Sequence, residues 1–321
     1  MMSDVLQSIK TLQEAIQYFA DPDNCLQYVA QKRWGNSPIC PHCGSDRVGF
    51  ITTRRVWKCK HRDCRKQFSV KVGTIMEDSP LGLDKWLAAI WLIVNAKNGI
   101  SSCEIARSLG ITQKTAWFLL HRIRLAMQTG TFEKLSGEVE ADETYVGGKA
   151  ENMHEAKRKQ KIRGRGTSGK AIVLGLIERG GNVVAKVIPD TSRETLHREV
   201  KEAVSPVTEG SVKDYITHLY TDGHSGYQGL DEQYIHRIVD HAIEYVRGNV
   251  STNRIENFWT LLKRSLKGTY VAVEPEHLFR YVEEQVFRFN NRKAKDGERF
   301  NKALEGIQGR RITYRKLIRK A

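Results

Sequence analysis

Four cysteines fall in two close pairs, Cys40-Pro-His-Cys43 and Cys59-x4-Cys64, with fifteen residues between them. Two such pairs on two tight turns place four thiolates at the corners of a tetrahedron, about 2.3 Å from a zinc ion. A closed set of this kind leaves no position for a substrate, so the Zn2+ expected here is structural. Gly44 follows the first pair, where the turn needs a positive φ. Trp57 and Phe68 are the expected apolar filling of a small ribbon, and His42 and His61 stand beside the ligands as alternative donors.

Acidic residues gather in three other segments. In Gly137-Glu-Val-Glu-Ala-Asp-Glu-Thr-Tyr145, a strand puts Glu138, Glu140 and Asp142 on one face. In Leu219-Tyr-Thr-Asp-Gly-His-Ser-Gly-Tyr227, Asp222 ends an apolar stretch. From Ser251 the chain reads as a helix, with Asn253, Glu256, Thr260 and Lys263 along one side and Ile255, Phe258, Trp259 and Leu262 along the other. Hard oxygen ligands on separate elements suit a pair of Mg2+ (or Mn2+) ions about 3.5–4 Å apart. Such a pair activates a water or a 3′-hydroxyl and stabilises the leaving oxygen. Each acid alone reads as a surface charge; the combination carries the inference.

The elements that must position these groups follow from periodicity. Residues 5–20 have a helical apolar period, and Asp21-Pro22 caps and opens a second helix. Residues 36–73 are short strands and turns around the cysteines. Residues 83–128 are helical, and residues 137–247 alternate strand and helix in an α/β pattern. Within 101–128, Gly110 ends one helix and Thr112 caps the next, the layout of a helix-turn-helix. Gln113, Lys114 and Thr115 then open the recognition helix, and His121, Arg122 and Arg124 are the expected phosphate contacts.

The chain has 321 residues, with 52 Lys and Arg against 37 Asp and Glu and a net charge of +15. That excess calls for a polyanionic partner. Six of the cations, Lys157, Arg158, Lys159, Lys161, Arg163 and Arg165, occupy one glycine-flanked stretch expected to order on DNA. Residues 292–321 hold eleven more against three acids, with apolar residues suggesting a one-sided helix. The longest apolar run, Trp86 to Val94, is nine residues. A spanning helix needs about 18, so no membrane partner is expected. No leader is visible, so a cytoplasmic location is expected, with the cysteines unpaired.

Taken in order, six motifs resemble a known family. They are CPHCGS at 40–45, KCKHRDCRKQFSV at 58–70, EADETYVGGK at 140–149, YTDGHSGY at 220–227, STNRIENFWTLLKRSLKGTY at 251–270 and FNNR at 289–292. The chain is similar to the DDE-type bacterial insertion-sequence transposases that carry an N-terminal zinc ribbon. The resemblance implies an RNase H-like catalytic domain, a mixed five-stranded sheet with helices. Its central strand would carry Asp142, with a hairpin over 171–178 and 182–188 turning at Gly180-Gly181. A helix at 193–204, a strand ending at Asp222, a fifth strand at 235–240 and the helix from Asn253 would follow. The implied domains are a helical segment (1–35), zinc ribbon (36–76), helix-turn-helix (80–130), catalytic domain (135–293) and a basic C-terminal helix or tail (294–321).

The resemblance further implies catalysis by Asp142, Asp222 and a third residue. That residue is Glu256 on chemical grounds, since a carboxylate binds magnesium better than an amide, with Asn253 as the competitor. Lys263, two helical turns on, would hold a phosphate, and strand parity favours Glu140 over Glu143 as an assisting acid. The partners implied are double-stranded DNA, as terminal inverted repeats and target, and further copies of the chain in a dimer or larger, nucleoid-associated assembly. The competing functions are an RNase H-like nuclease that cuts without joining and a domesticated DNA-binding regulator.

Overall fold

A computed structural model describes residues 9–128, 134–147, 169–206, 217–239 and 251–318. The basic stretch with Lys157, Arg158, Lys159, Lys161 and Arg163 lies outside these residues. The chain divides into two compact units, one of Met1–Thr129 with Asn291–Ala321, the other of Gly130–Asn290.

The first unit opens with α1 (Leu12–Phe19) and α2 (Pro22–Trp34). Thr11 and Glu14 form a reciprocal capping box on α1, and Asp21 caps α2 ahead of Pro22. The ribbon follows as antiparallel β1 (Val48–Ile51), β2 (Val56–Cys59) and β3 (Gln67–Phe68). Trp57 and Phe68 are buried in it and stack 6.3 Å apart, with Trp34 edge-on.

Next come α3 (Leu83–Asn95), α4 (Ser102–Leu109) and α5 (Gln113–Met127). Gly110 takes the left-handed conformation at the end of α4, and the Thr112 hydroxyl caps α5. The C-terminal segment does not stand apart as a tail. Its helix α9 (Asp296–Glu305) sends Phe300 into the ring cluster of Phe19, Tyr28 and Trp91. Arg310 donates to the carbonyls of Leu125 and Gln128 at the end of α5, both at 2.6 Å. The final helix α10 (Tyr314–Ile318) buries Leu317.

The second unit is a five-stranded sheet ordered β6-β5-β4-β7-β8. Strands β4 (Glu138–Val146), β5 (Ala171–Glu178) and β6 (Val183–Ile188) run antiparallel; β7 (His218–Asp222) and β8 (Ile235–Val239) lie parallel to β4. The hairpin between β5 and β6 turns at Gly180, with φ of 82°. Helix α6 (Arg193–Ala203) covers one face through Leu196 and Val200. The other face carries α7 (Asn253–Arg264), through Ile255, Phe258, Trp259 and Leu262, and α8 (Pro275–Asn290), through Leu278, Val282 and Val286. This is the mixed α/β, RNase H-like arrangement expected, with the Asp142 strand at its centre. No described helix is long and apolar enough to cross a membrane.

Candidate metal centres and nucleic-acid contacts

The four ribbon cysteines converge. Cys40 and Cys64 Sγ lie 3.8 Å apart, Cys43 and Cys59 Sγ 3.6 Å apart, and all four fall within 4.8 Å of one another. Four bonds of about 2.3 Å from a tetrahedral zinc ion require sulfur separations of about 3.8 Å, so the set fits zinc. Gly44 has φ of 73°, as the turn after Cys43 demands. Neither His42 nor His61 joins the group.

The acids converge at the ends of two parallel strands. Asp142 sits on β4, and Asp222 is the last residue of β7. Oxygens of Asp142, Glu143 and Asp222 all lie within 4.8 Å of one another. Asp142 Oδ2 accepts from Trp259 Nε1 at 2.8 Å, and Asp222 Oδ1 accepts from the His224 amide at 3.1 Å. Burial pushes the Asp142 carboxyl up; the Trp259 bond opposes that, while the charges of Asp222 and Glu256 add to it. Burial likewise raises Glu143, to about 7; the Tyr227 hydroxyl opposes that, while the charges of Asp222 and Asp142 add to it.

Glu143 is held by burial beside Asp142 and Asp222, with the Tyr227 hydroxyl as the polar group acting on it. Three carboxylates crowded in a half-buried place are what a divalent cation would satisfy. Two oxygens bound to one Mg2+ at about 2.1 Å lie at most about 4.2 Å apart, so small side-chain rotations close the set.

Glu256 lies in the first turn of α7, exposed and near enough to act on Asp142, but outside the tight group. Asn253 opens the same helix and is exposed, as is Lys263 two turns beyond Glu256.

Glu140 departs from expectation. It does share the face of Asp142, but it is fully buried and engaged elsewhere. One oxygen takes Arg179 Nε at 2.8 Å, and the other takes the amides of Arg254 and Ile255 at 2.9 and 3.1 Å. The neighbouring acid is Glu143. Strand pairing of β4 with β7 runs only from Glu138 to Glu140. Past it β4 stays paired with β5 but not with β7, so on that side Asp142 and Glu143, though alternating in face, both come near Asp222. The helical pattern places Trp259 in the core alone; its indole N–H, which must find a partner when buried, is the signal that points to Asp142. Nothing in the sequence singled out Arg179.

In the first unit, Gln113 and Lys114 are exposed and Thr115 half-buried at the start of α5. Gln113 Nε2 donates to Ser102 Oγ at 2.8 Å, Lys114 Nζ lies 4.9 Å from the centre of the Tyr314 ring, and the Thr115 hydroxyl meets that of Thr112 at 2.8 Å. His121, Arg122 and Arg124 are only 0%, 3% and 1% exposed. In this structure they face into the unit, away from where a phosphate contact would lie. Arg122 donates to the Glu77 carbonyl, and its guanidinium packs 5.2 Å from the Trp86 ring and 5.3 Å from that of Phe118. Helix α5 is covered on more sides than a two-helix hairpin would cover it, because α3 and the returning C-terminal segment pack there too.

Comparison with known proteins agrees with both centres. Residues 134–290 match the ISXO2-like transposase domain, and residues 20–67 match the transposase zinc-ribbon domain. An uncharacterized protein in transposable element ISH50 of Halobacterium salinarum is 28% identical over 290 residues, covering 85% of this chain and 94% of its own length. The acid cluster lies inside the first match and most of the ribbon inside the second. The chain thus belongs to the DDE-type insertion-sequence transposases that carry a zinc ribbon ahead of the catalytic domain.

Proposed function

We propose that this transposase binds the terminal inverted repeats of its element, cuts there, and joins the freed 3′-hydroxyl to target DNA. The observation that carries the reading is the convergence of Asp142, Asp222 and Glu143 at the ends of β4 and β7, their oxygens all within 4.8 Å of one another. Asp142 and Asp222 would hold two Mg2+ or Mn2+ ions, with Glu256, or Asn253, as the ligand from α7. When bound, such ions polarise the attacking water or hydroxyl and stabilise the leaving oxygen.

The protein's own part is to fix the ligands. Trp259 orients Asp142, the His224 amide orients Asp222, and Glu143 adds charge beside them. Lys263, exposed on α7, would hold a backbone phosphate. Cys40, Cys43, Cys59 and Cys64 would hold a structural zinc ion. Gln113, Lys114 and Thr115 would read base edges, which requires their present local partners to yield to DNA. Handling two element ends together calls for a dimer or larger assembly.

The test is an element-end duplex incubated with the chain and Mg2+. The wild type should cut and join, and Asp142→Ala or Asp222→Ala should lose both while retaining DNA binding. Cutting without joining would indicate a nuclease, and binding alone a regulator. Undiminished activity in Asp142→Ala, Asp222→Ala and Glu256→Ala would overturn the site assignment.

A further inference from the structure

Helix α7 has no cap of its own: Thr252, at its N-cap, makes no side-chain capping bond. Its first turn nonetheless carries both candidates for the third metal ligand, Asn253 and Glu256. A helix start without a local cap frays unless another element supplies the acceptor. Here the acceptor comes from a strand. Glu140 Oε2 accepts the amides of Arg254 and Ile255 at 2.9 and 3.1 Å, as a cap would, and its negative charge sits at the positive end of the helix.

Glu140 is held in turn by Arg179, just past the end of β5. The guanidinium donates to Glu140 Oε1 at 2.8 Å, to the Ser251 carbonyl at 2.9 Å and to Glu138 Oε1 at 3.4 Å. It also lies 4.2 Å from the centre of the Tyr220 ring on β7. One buried ion pair therefore ties together β4, β7 and the entry to α7. Asp142 is two residues along β4 from Glu140, and Asp222 two residues along β7 from Tyr220.

We infer that Glu140 and Arg179 are positioning residues that set the third metal ligand on α7 against Asp142 and Asp222. Both Glu140 oxygens are taken up by Arg179 and by the amides of Arg254 and Ile255. The pair acts through the helix start, and a glutamate at this buried place is kept for its geometry, not as an acid in the reaction. This rests on the reading of the acid cluster as a metal site.

The test is titration of the full-length, zinc-loaded chain with Mn2+ alone, followed by the resonance of free Mn2+. It uses Glu140→Gln, which keeps one acceptor oxygen but loses the charge, and Arg179→Lys, which keeps the charge but loses the fork. Asp142→Ala serves as control, and a thermal melt of each variant establishes folding. The expected result is cooperative unfolding in at least one of the two variants with Mn2+ affinity weakened about 10–100-fold, the range for groups that orient ligands. The Mn2+ concentration for half-maximal DNA cleavage should rise in parallel, while cleavage at saturating Mn2+ recovers.

Wild-type Mn2+ affinity in every one of the two variants that folds, with Asp142→Ala unable to bind, would overturn the inference and leave the pair as packing alone. Loss of cooperative unfolding in both variants would also overturn it, since the pair would then hold the fold as a whole. Undiminished binding in Asp142→Ala would remove the metal-site reading itself, and this inference with it.

Discussion

Replacing Gly175 by alanine tests how Asp142 is aimed. Gly175 on β5 is the register partner of Asp142 on β4. A Cβ at Gly175 would stand 2.5 Å from Trp259 Cη2, 2.6 Å from Cζ2 and 2.8 Å from Ile255 Cδ1. Carbon atoms in contact prefer about 3.5 Å or more, so the indole would have to retreat by about 1 Å. Trp259 and Ile255 are both buried, which leaves little room for that retreat.

The retreat also draws Nε1 away from Asp142 Oδ2, now 2.8 Å distant, and beyond good hydrogen-bonding range. Overpacking of this kind costs about 1–3 kcal/mol, and a hydrogen bond to a charged group contributes about 1.5–3 kcal/mol. The two together, about 2.5–6 kcal/mol, lower the melting temperature by roughly 5–24 °C, at about 2–4 °C per kcal/mol for a unit of this size. Thermal melts paired with Mn2+ titration read both consequences. Trp259→Phe separates them, since it removes the N–H without overpacking β5; it should weaken Mn2+ binding, with a stability cost that comes from the cavity left by the smaller ring. A Gly175→Ala chain with wild-type melting and wild-type Mn2+ affinity would refute the reasoning, because the ring could not then lie over β5 as described.

Cys40→Ser should bring zinc below one ion per chain by metal analysis and destabilise the ribbon, while leaving Mn2+ binding at the acid cluster unchanged; a zinc-free wild type would refute this. Arg122→Ala should cost about 1–3 kcal/mol of stability through the lost bond to the Glu77 carbonyl and lost packing on Trp86. The salt dependence of DNA binding should stay unchanged; a slope smaller by about one, with unchanged melting, would restore Arg122 as a phosphate contact. Deleting residues 291–321 should abolish zinc retention and open residues 9–128 to protease. It removes Phe300, Ala303 and Leu304 from the core, where a single buried Phe or Leu is worth about 2–5 kcal/mol and a whole domain only about 5–15. Native zinc content in the truncated chain would contradict this.

Local rules served well where a local cause decides the outcome. The two cysteine pairs announce their tetrahedron, Gly110 and Thr112 announce the turn between α4 and α5, and Gly180-Gly181 announces the hairpin. In each case the residue type and its own backbone suffice. Arg122 is different, because its fate depends on what covers α5, and part of that cover comes from the far end of the chain. A guanidinium on an otherwise amphipathic helix reads as a phosphate contact until Trp86, Phe118 and the Glu77 carbonyl are brought around it.

Glu140 and Glu143 show a subtler limit. Alternation of side chains correctly puts Glu140 on the face of Asp142, yet that face is where α7 lands, and the helix takes the carboxylate for its own first turn. The same alternation sends Glu143 to the opposite face, where it should be remote from Asp142. It is not remote: β4 stays paired with β5 through Val146, but its pairing with β7 stops at Glu140, so beyond that point no strand separates the two faces on the Asp222 side. Alternation still holds along β4, yet on that side both faces open onto the end of β7. An acid's place in such a site therefore depends on where pairing with the neighbouring strand ends, which the motif around Asp142 does not contain.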